Sequence, residues 1–368
     1  MHFEEVNTDW FNPNALRLPN YKVGRVSYGQ GRSYIRINED GSLEQPFRLY
    51  TSLTTAINTC APTEKPLLEW YVKHGMAEAD RLLKLAQHYG TLMHLIFGQY
   101  LMEGSFELET LKEQVENYTS EKNYWQPECT GWEEKLKYDL VAFVQFCQDY
   151  KVVPLGIEYV LLSQRGFGTL IDLVCNMTIE EKGFWGEVYK SGEKKGQPKE
   201  TKRAKQITAV INFKSGRHQF YRSNGIQALA EKQLFEENFP DIKIDAAYNW
   251  SPKDWKTEPG YNLKDWNGEI EPGEVDAVMQ LAEVRFAQKA INRRYLNIYG
   301  TIHKGDPVSA LIHQESVEDF CMRKFGNTPM TNAKPAAAFH VSKSGKLTSN
   351  MPTETARPLV YTPAPLPI

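Results

Sequence analysis

The sequence predicts an α/β fold with an N-terminal helical region, and three observations carry that prediction. Amphipathic patterns of helical period fill residues 65–150. Three short apolar segments of strand type then follow between residues 152 and 213. Strand and helix signals alternate from there to residue 299.

Taken in order, residues 1–33 are polar and aromatic without period and predict an arm. Tyr34–Asn38 alternates as a strand, EDGS at Glu39–Ser42 reads as a turn, and Pro46–Tyr50 returns, which predicts a β-hairpin. Ser52 or Thr54 is placed to cap a short helix. Leu67, Leu68 and Trp70 begin one amphipathic run; Ala77–His88 and Gly90–Met102 give two more, and Trp132–Tyr150 is the longest. Strands are predicted at Val152–Leu162, Phe167–Met177 and Gln206–Phe213, then a helix at Gly225–Phe239. Strands at Ile244–Trp250 and Tyr261–Trp266 precede helices at Glu271–Tyr299 and Asp306–Phe325. One domain therefore spans residues 34–325, with a helical part at 65–150 and a sheet core at 152–299. Residues 326–368, rich in Pro, Thr, Ser and Ala, predict a disordered or extended tail that could dock on a partner, although no motif supports one.

Composition narrows the function classes. Hydrophobic residues make up 41% of the 368 and charged residues 24%, enough for a packed core. No apolar run is long enough to span a bilayer, and MHFEEVNTDWFNPN is no secretory signal. Cys60, Cys129, Cys147, Cys175 and Cys321 are far apart with no C-x-x-C, which predicts free thiols in a reducing, cytoplasmic setting and no zinc or iron–sulfur site. A net charge of −3 means that any nucleic-acid enzyme here must concentrate its basic residues locally.

The chemistry-bearing residues gather between residues 158 and 227. Asp172 sits mid-strand among Leu170, Ile171, Leu173 and Val174, where a charge is expensive unless paired or metal-bound. Asn212 and Lys214, two apart, share one face of the next strand. A carboxylate beside a lysine suits metal-assisted phosphodiester hydrolysis, with the lysine orienting water and offsetting developing charge. Each has a plainer reading: Asp172 satisfied by a backbone donor or a cation, Lys214 snorkelling at a sheet edge. Glu158, between Ile157 and Tyr159, is a ligand or a cross-strand ion-pair partner. His94 alone reads as a core histidine, and Gln227 as a surface glutamine or an amide bonding the lysine. Between the second and third strands lies a lysine-rich stretch, KSGEKKGQPKETKRAKQ. Its Lys190, Lys194, Lys195, Lys202, Arg203 and Lys205 belong to an exposed hairpin tip or mobile loop, either merely solvated or a flap on a phosphate backbone.

The order of these residues resembles the PD-(D/E)XK nuclease superfamily in its RecB-like exonuclease branch. The pattern is Gly90-x-x-x-His94, a strand with Glu158, Gly168-x-x-x-Asp172, Asn212-Phe213-Lys214, then a helix with Gln227. RLYTSLTTAI (Arg48–Ile57), LLEWYVKHG (Leu67–Gly75) and NWSPKDW (Asn249–Trp255) look like phage-type members and the mitochondrial genome maintenance exonuclease. The resemblance covers Tyr34 to Tyr299 and implies a mixed central sheet flanked by helices, a restriction-endonuclease-like core. It also implies one or two Mg²⁺ or Mn²⁺ ions, cleavage of DNA from single strands or ends, and the cytoplasm of a bacterium or phage-infected host. By resemblance, His94, Asp172 and Asn212 are metal ligands, Asp172 and Asn212 also count among the catalytic residues, Lys214 is the catalytic lysine, Gln227 the helix glutamine and Glu158 an accessory acid.

Two positions depart from the family. Asn212 stands where Asp or Glu is usual, and Glu231 stands where Tyr is usual, four residues after Gln227. The amide oxygen of Asn212 can still face a cation, with one negative charge fewer. Three readings of Asn212 stay open: a substrate-trapping Asp→Asn variant, a nuclease that tolerates the amide, or a catalytically inactive nucleic-acid-binding or scaffold protein. A structural role for every one of these polar residues is the plainest alternative. Tyr34, Trp70, Tyr221, Trp250 and Trp255 are candidates to stack on bases.

Overall fold

The computed structural model describes residues 2–5, 21–28, 31–38, 40–121, 126–217, 220–292, 295–299, 312–316 and 346–348. Its centre is a mixed, mostly antiparallel sheet flanked by helices. Along the sheet run β1 (His2–Glu5), β2 (Lys22–Tyr28), β3 (Gly31–Ile37), β4 (Tyr50–Ser52), β7 (Phe167–Val188), β8 (Pro198–Phe213), β9 (Ala246–Pro252) and β10 (Tyr261–Asp265). β6 (Val153–Leu162) pairs with β7 on its other edge. Only the β4–β7 and β8–β9 pairs are parallel in this sheet.

Helices α3 (Met76–Glu103), α4 (Leu111–Glu121) and α5 (Trp132–Asp149) cover one face. Their Phe97, Phe143 and Phe146 pack with Phe213 and Trp250 of the sheet. α1 (Leu53–Cys60), α6 (Arg222–Asn238) and α7 (Pro272–Asn292) cover the other, meeting at Leu53, Ile226, Trp266 and Ile270. A Cβ at Gly225 would lie 2.5 Å from Trp266 and Ile270, so a glycine there lets α6 settle close to the sheet. α2 (Lys65–His74) precedes α3, and Gly75, at φ +75°, breaks the chain between them.

Several expectations change. The two runs at Ala77–His88 and Gly90–Met102 are one helix, α3, because no breaker strong enough to end it lies between them. The strand from Tyr34 pairs mainly with β2, inside the stretch expected to be an arm, and meets β4 only at Ser33 and Tyr34. The turn at Asn38–Ser42 does form, closed by Asn38 N–H donating to the Ser42 carbonyl. Ser52 holds the N-cap position of α1 without a side-chain capping bond. The lysine-rich stretch is mostly strand, since β7 and β8 continue outward as an exposed hairpin. Solvent bathes both faces there, so the segment shows no apolar alternation for a sequence reading to find.

Towards the C-terminus the chain departs again. α7 ends at Asn292, and β11 (Tyr295–Tyr299) pairs with β12 (Ile312–Ser316) where a last helix was expected. The polar sequence IHQES offers no helical stripe. In the tail, β13 (Lys346–Thr348) pairs with β5 (Ser105–Glu107), and the other residues from 326 onward lie outside the described set. Cys60, Cys129, Cys147 and Cys175 are free thiols, and Cys321 lies outside the described residues. Among the described residues, no helix is long and apolar enough to cross a membrane.

Candidate metal centre

The site lies where β7 changes neighbours along one edge. At Phe167 and Gly168 that edge pairs with β4, and from Leu173 onward it pairs with β8. Asp172 falls in the interval. Its Oδ2 accepts the backbone N–H of Phe213 at 2.6 Å, so the side chain substitutes for a ladder bond as the strands part. Oδ1 is left for His94, whose Nδ1 is 3.4 Å away.

Glu158 reaches the same point through an irregular backbone. It has φ +51°, a left-handed conformation that L residues avoid at a cost of about 1–2 kcal/mol. Ile157 pairs with Leu173 and Tyr159 with Ile171, yet Ile157 packs under α3 and α5 while Tyr159 packs under α6. The kink therefore breaks the strand's alternation and turns Glu158 towards His94, with Oε1 at 3.2 Å from Nδ1.

His94 comes from α3, one turn after Gly90. A Cβ at Gly90 would lie 3.3 Å from Ser215 Oγ, so this glycine brings the helix close to the turn after Lys214. Together His94, Glu158 and Asp172 offer three ligand atoms within 4.8 Å of one another. Side-chain exposures of 23% for His94 and 20% for Glu158 leave an entry path for an ion. One imidazole nitrogen and two carboxylates fit Mn²⁺ and, less well, Mg²⁺, which prefers an all-oxygen shell.

A second row lies behind the first. Lys214 Nζ donates to Gln227 Oε1 at 3.2 Å. Gln227 Nε2 donates to Glu231 Oε1 at 2.8 Å, the two side chains being one turn apart on α6. Asn212 Nδ2 donates to both oxygens of Glu231, at 3.2 and 3.1 Å. The amide nitrogen of Asn212 thus faces an acid, and its Oδ1 lies 3.5 Å from Asn249 Nδ2.

The electrostatics follow from burial and crowding of acids. Burial pushes the His94 imidazolium down, but Asp172 and Glu158 outweigh it and hold the pKa at about 10. Burial raises the Glu158 carboxyl against the pull of His94. Burial and the Asp172 charge raise Glu231 to about 7, against hydrogen bonds from Gln227 and Asn212 and the charge of Lys214. Burial lowers Lys214, countered by Asp172 and Glu231.

These values give a pH prediction. His94 is raised on folding, so its stabilising contribution is complete below its ordinary value of 6.5 and is lost as pH rises through about 10. Ligation requires the neutral ring, so an ion must displace one proton. Mn²⁺ affinity should then rise about tenfold per pH unit between pH 6 and 8. Calorimetry in buffers of different ionisation enthalpy should read one proton released, and release of none would remove His94 from the ligand set.

Two contributors were not read from sequence. Glu231 entered only as a departure from the family, although a glutamate between Ala228, Ala230 and Leu234 on a buried helix face is itself a signal. Arg25 on β2 lies near enough for its charge to act on Glu158, and nothing in its local sequence points there. Among the aromatic candidates, Tyr34 and Trp250 are core residues, 2% and 0% exposed, and cannot stack on a base.

The basic residues of the hairpin are all exposed. Lys202 and Lys205 are engaged, at 2.5 Å from Glu180 and 2.8 Å from Glu181. The Arg203 guanidinium lies over the Trp185 ring at 5.0 Å, and Lys194 over Tyr189 at 5.8 Å. Compared with protein-family models and with curated proteins, the chain matches none.

Proposed function

We propose that the protein is a metal-dependent deoxyribonuclease of the PD-(D/E)XK type, acting on single strands or ends. The observation that carries this reading is the convergence of His94, Glu158 and Asp172 beside Lys214 and Gln227. A bound Mg²⁺ or Mn²⁺ would supply a Lewis acid for the phosphate and a water of lowered pKa. His94, Glu158 and Asp172 would hold it. Lys214 steers an attacking water and offsets charge growing on the phosphate, while Gln227 fixes the direction of its ammonium group. The kinked Glu158 and the bridging Asp172 keep both carboxylates in place before substrate arrives.

The test is end-labelled single- and double-stranded DNA incubated with Mg²⁺, Mn²⁺ or EDTA. Cleavage with a divalent ion, absent with EDTA, supports the reading. Intact DNA with both metals, together with no calorimetric Mn²⁺ binding, refutes it.

A second reading has its own observation. Asn212 turns its amide nitrogen to Glu231, so position 212 offers no carboxylate to a cation. That favours a protein on the same fold that binds nucleic acid without cutting. It predicts DNA retention in a gel with no cleavage under any metal.

Both readings use the exposed hairpin, whose lysine-bearing tip is the natural contact for a phosphate backbone. Replacing Lys190 and Lys195 together with Glu should weaken DNA binding about tenfold or more at low salt and flatten its salt dependence by about two in slope. Fluorescence anisotropy across a salt series measures both, and an unchanged slope would take the hairpin out of the interface.

A further inference from the structure

We infer that Asn212 and Glu231 are a matched pair sharing one negative charge, with Glu231 the positioning residue that aims the amides around Lys214. The two positions that depart from the resembled family are in direct contact. Asn212 Nδ2 lies 3.2 and 3.1 Å from the two oxygens of Glu231. Glu231 is fully buried, and Gln227 Nε2 and Thr169 Oγ1 also donate to it, at 2.8 and 3.2 Å.

The direction of every bond in this network is fixed by chemistry. An ionised carboxylate only accepts, so when Glu231 carries its charge Gln227 and Asn212 each turn a nitrogen to it. The oxygen of Gln227 then faces Lys214, which only donates. On the other side Trp266 Nε1, also a donor only, gives its hydrogen to Asn249 Oδ1 at 2.7 Å. Asn249 Nδ2 is thereby directed to Asn212, 3.3 Å from its carbonyl oxygen and 3.5 Å from Oδ1. Two chains of donors thus converge on one acid: Lys214, Gln227, Glu231 from one end, and Trp266, Asn249, Asn212, Glu231 from the other. No amide in either chain can flip without opposing like atoms.

A carboxylate at position 212 would put acceptor against acceptor at about 3 Å inside the core. The charge can stand at 231 or at 212, but not at both. Exchanging it restores a bond across the pair: an amide at 231 can donate to a carboxylate at 212 in place of the present Asn212–Oε2 bond, and accept from Gln227 and Thr169, with only the longer Asn212–Oε1 contact given up. Asn212 is therefore part of the network that positions Lys214, not an isolated loss of a ligand. The pairing itself stands without the nuclease reading; its consequence for Lys214 rests on that reading.

The test is a double-mutant cycle on the full chain, melted in EDTA without DNA: Asn212→Asp, Glu231→Gln and the exchange carrying both. Each single change should lower Tm by on the order of 5 °C. The exchange should regain more than half of the summed loss, a rescue that loss of packing alone does not produce. Single variants that fail to fold beside an exchange that folds give the same answer. Losses that simply add, an Asn212→Asp protein as stable as the parent, or three proteins that all fail to fold overturn the pairing. Because neither metal nor DNA is present, this result is independent of whether the protein cuts. In Mn²⁺ assays on DNA, Glu231→Gln should lower kcat more than it raises KM, with the exchange restoring kcat. A cleaving parent whose Glu231→Gln variant keeps full kcat would overturn the positioning of Lys214.

Discussion

Asp172→Ala is expected to lower folding stability by about 3–5 kcal/mol, whereas Asp172→Asn should keep the fold and lose the proposed metal binding. The contrast follows from the two oxygens having different partners. Oδ2 satisfies the Phe213 N–H, which is otherwise stranded where β7 and β8 part. Oδ1 faces His94, whose positive charge is then left with Glu158 alone. Alanine orphans both groups inside a residue that is 5% exposed. Asparagine keeps an oxygen for Phe213 but turns an amide nitrogen to His94, which pulls the imidazole back towards its ordinary range. Loss of a group that only holds a ligand in place lowers metal affinity about 10–100-fold, so removing a charged ligand itself should exceed that range. Urea melts and Mn²⁺ calorimetry on both variants separate the two outcomes. A stable Asp172→Ala protein, or an Asp172→Asn protein that binds Mn²⁺ like the parent, would contradict the assignment.

Lys214→Ala should slow DNA cleavage by about 10²–10³-fold, the usual loss for a preorganised group that meets developing charge. Metal affinity should stay within a few-fold, since Lys214 bonds Gln227 and not the three ligand side chains. Lys214→Arg should not rescue the rate, because a planar guanidinium cannot occupy the point now held by an ammonium group. Single-turnover rates with Mn²⁺ on end-labelled DNA measure this. A variant as fast as the parent would leave Lys214 with only the snorkelling role that its sequence context also permits.

Much of the fold was legible because burial writes periodicity into a chain. β6, α5, α6 and β9 lie close to where apolar patterns put them, since each packs one or both faces against the core. The outer halves of β7 and β8 were illegible for the converse reason. Residues 198–206 bury almost nothing, and their strand character comes from ladder bonds and from pairs such as Lys205–Glu181. Within the site, Asp172 stood out as a charge in an apolar strand. The bend at Glu158 did not, because a positive φ leaves no mark on composition. The role of Glu231 did not show either, as its meaning depends on Asn212, 19 positions away.

The long hairpin has one more consequence, a matter of distance. β7 pairs with β8 from Leu173 to Val188, with one register shift between Phe184 and Val188, so the pairing runs from the edge of the candidate site to the exposed tip. From Asp172 to Val188 β7 advances sixteen residues, roughly 50 Å at about 3.3 Å each. With single-strand repeats of about 3.4 Å in duplex DNA, that matches roughly fifteen nucleotides. A backbone held at the tip is thus held at a set count from Asp172. If DNA binds as proposed, the arm acts as a ruler graduated in residue pairs, and its length, not its charge, fixes that count.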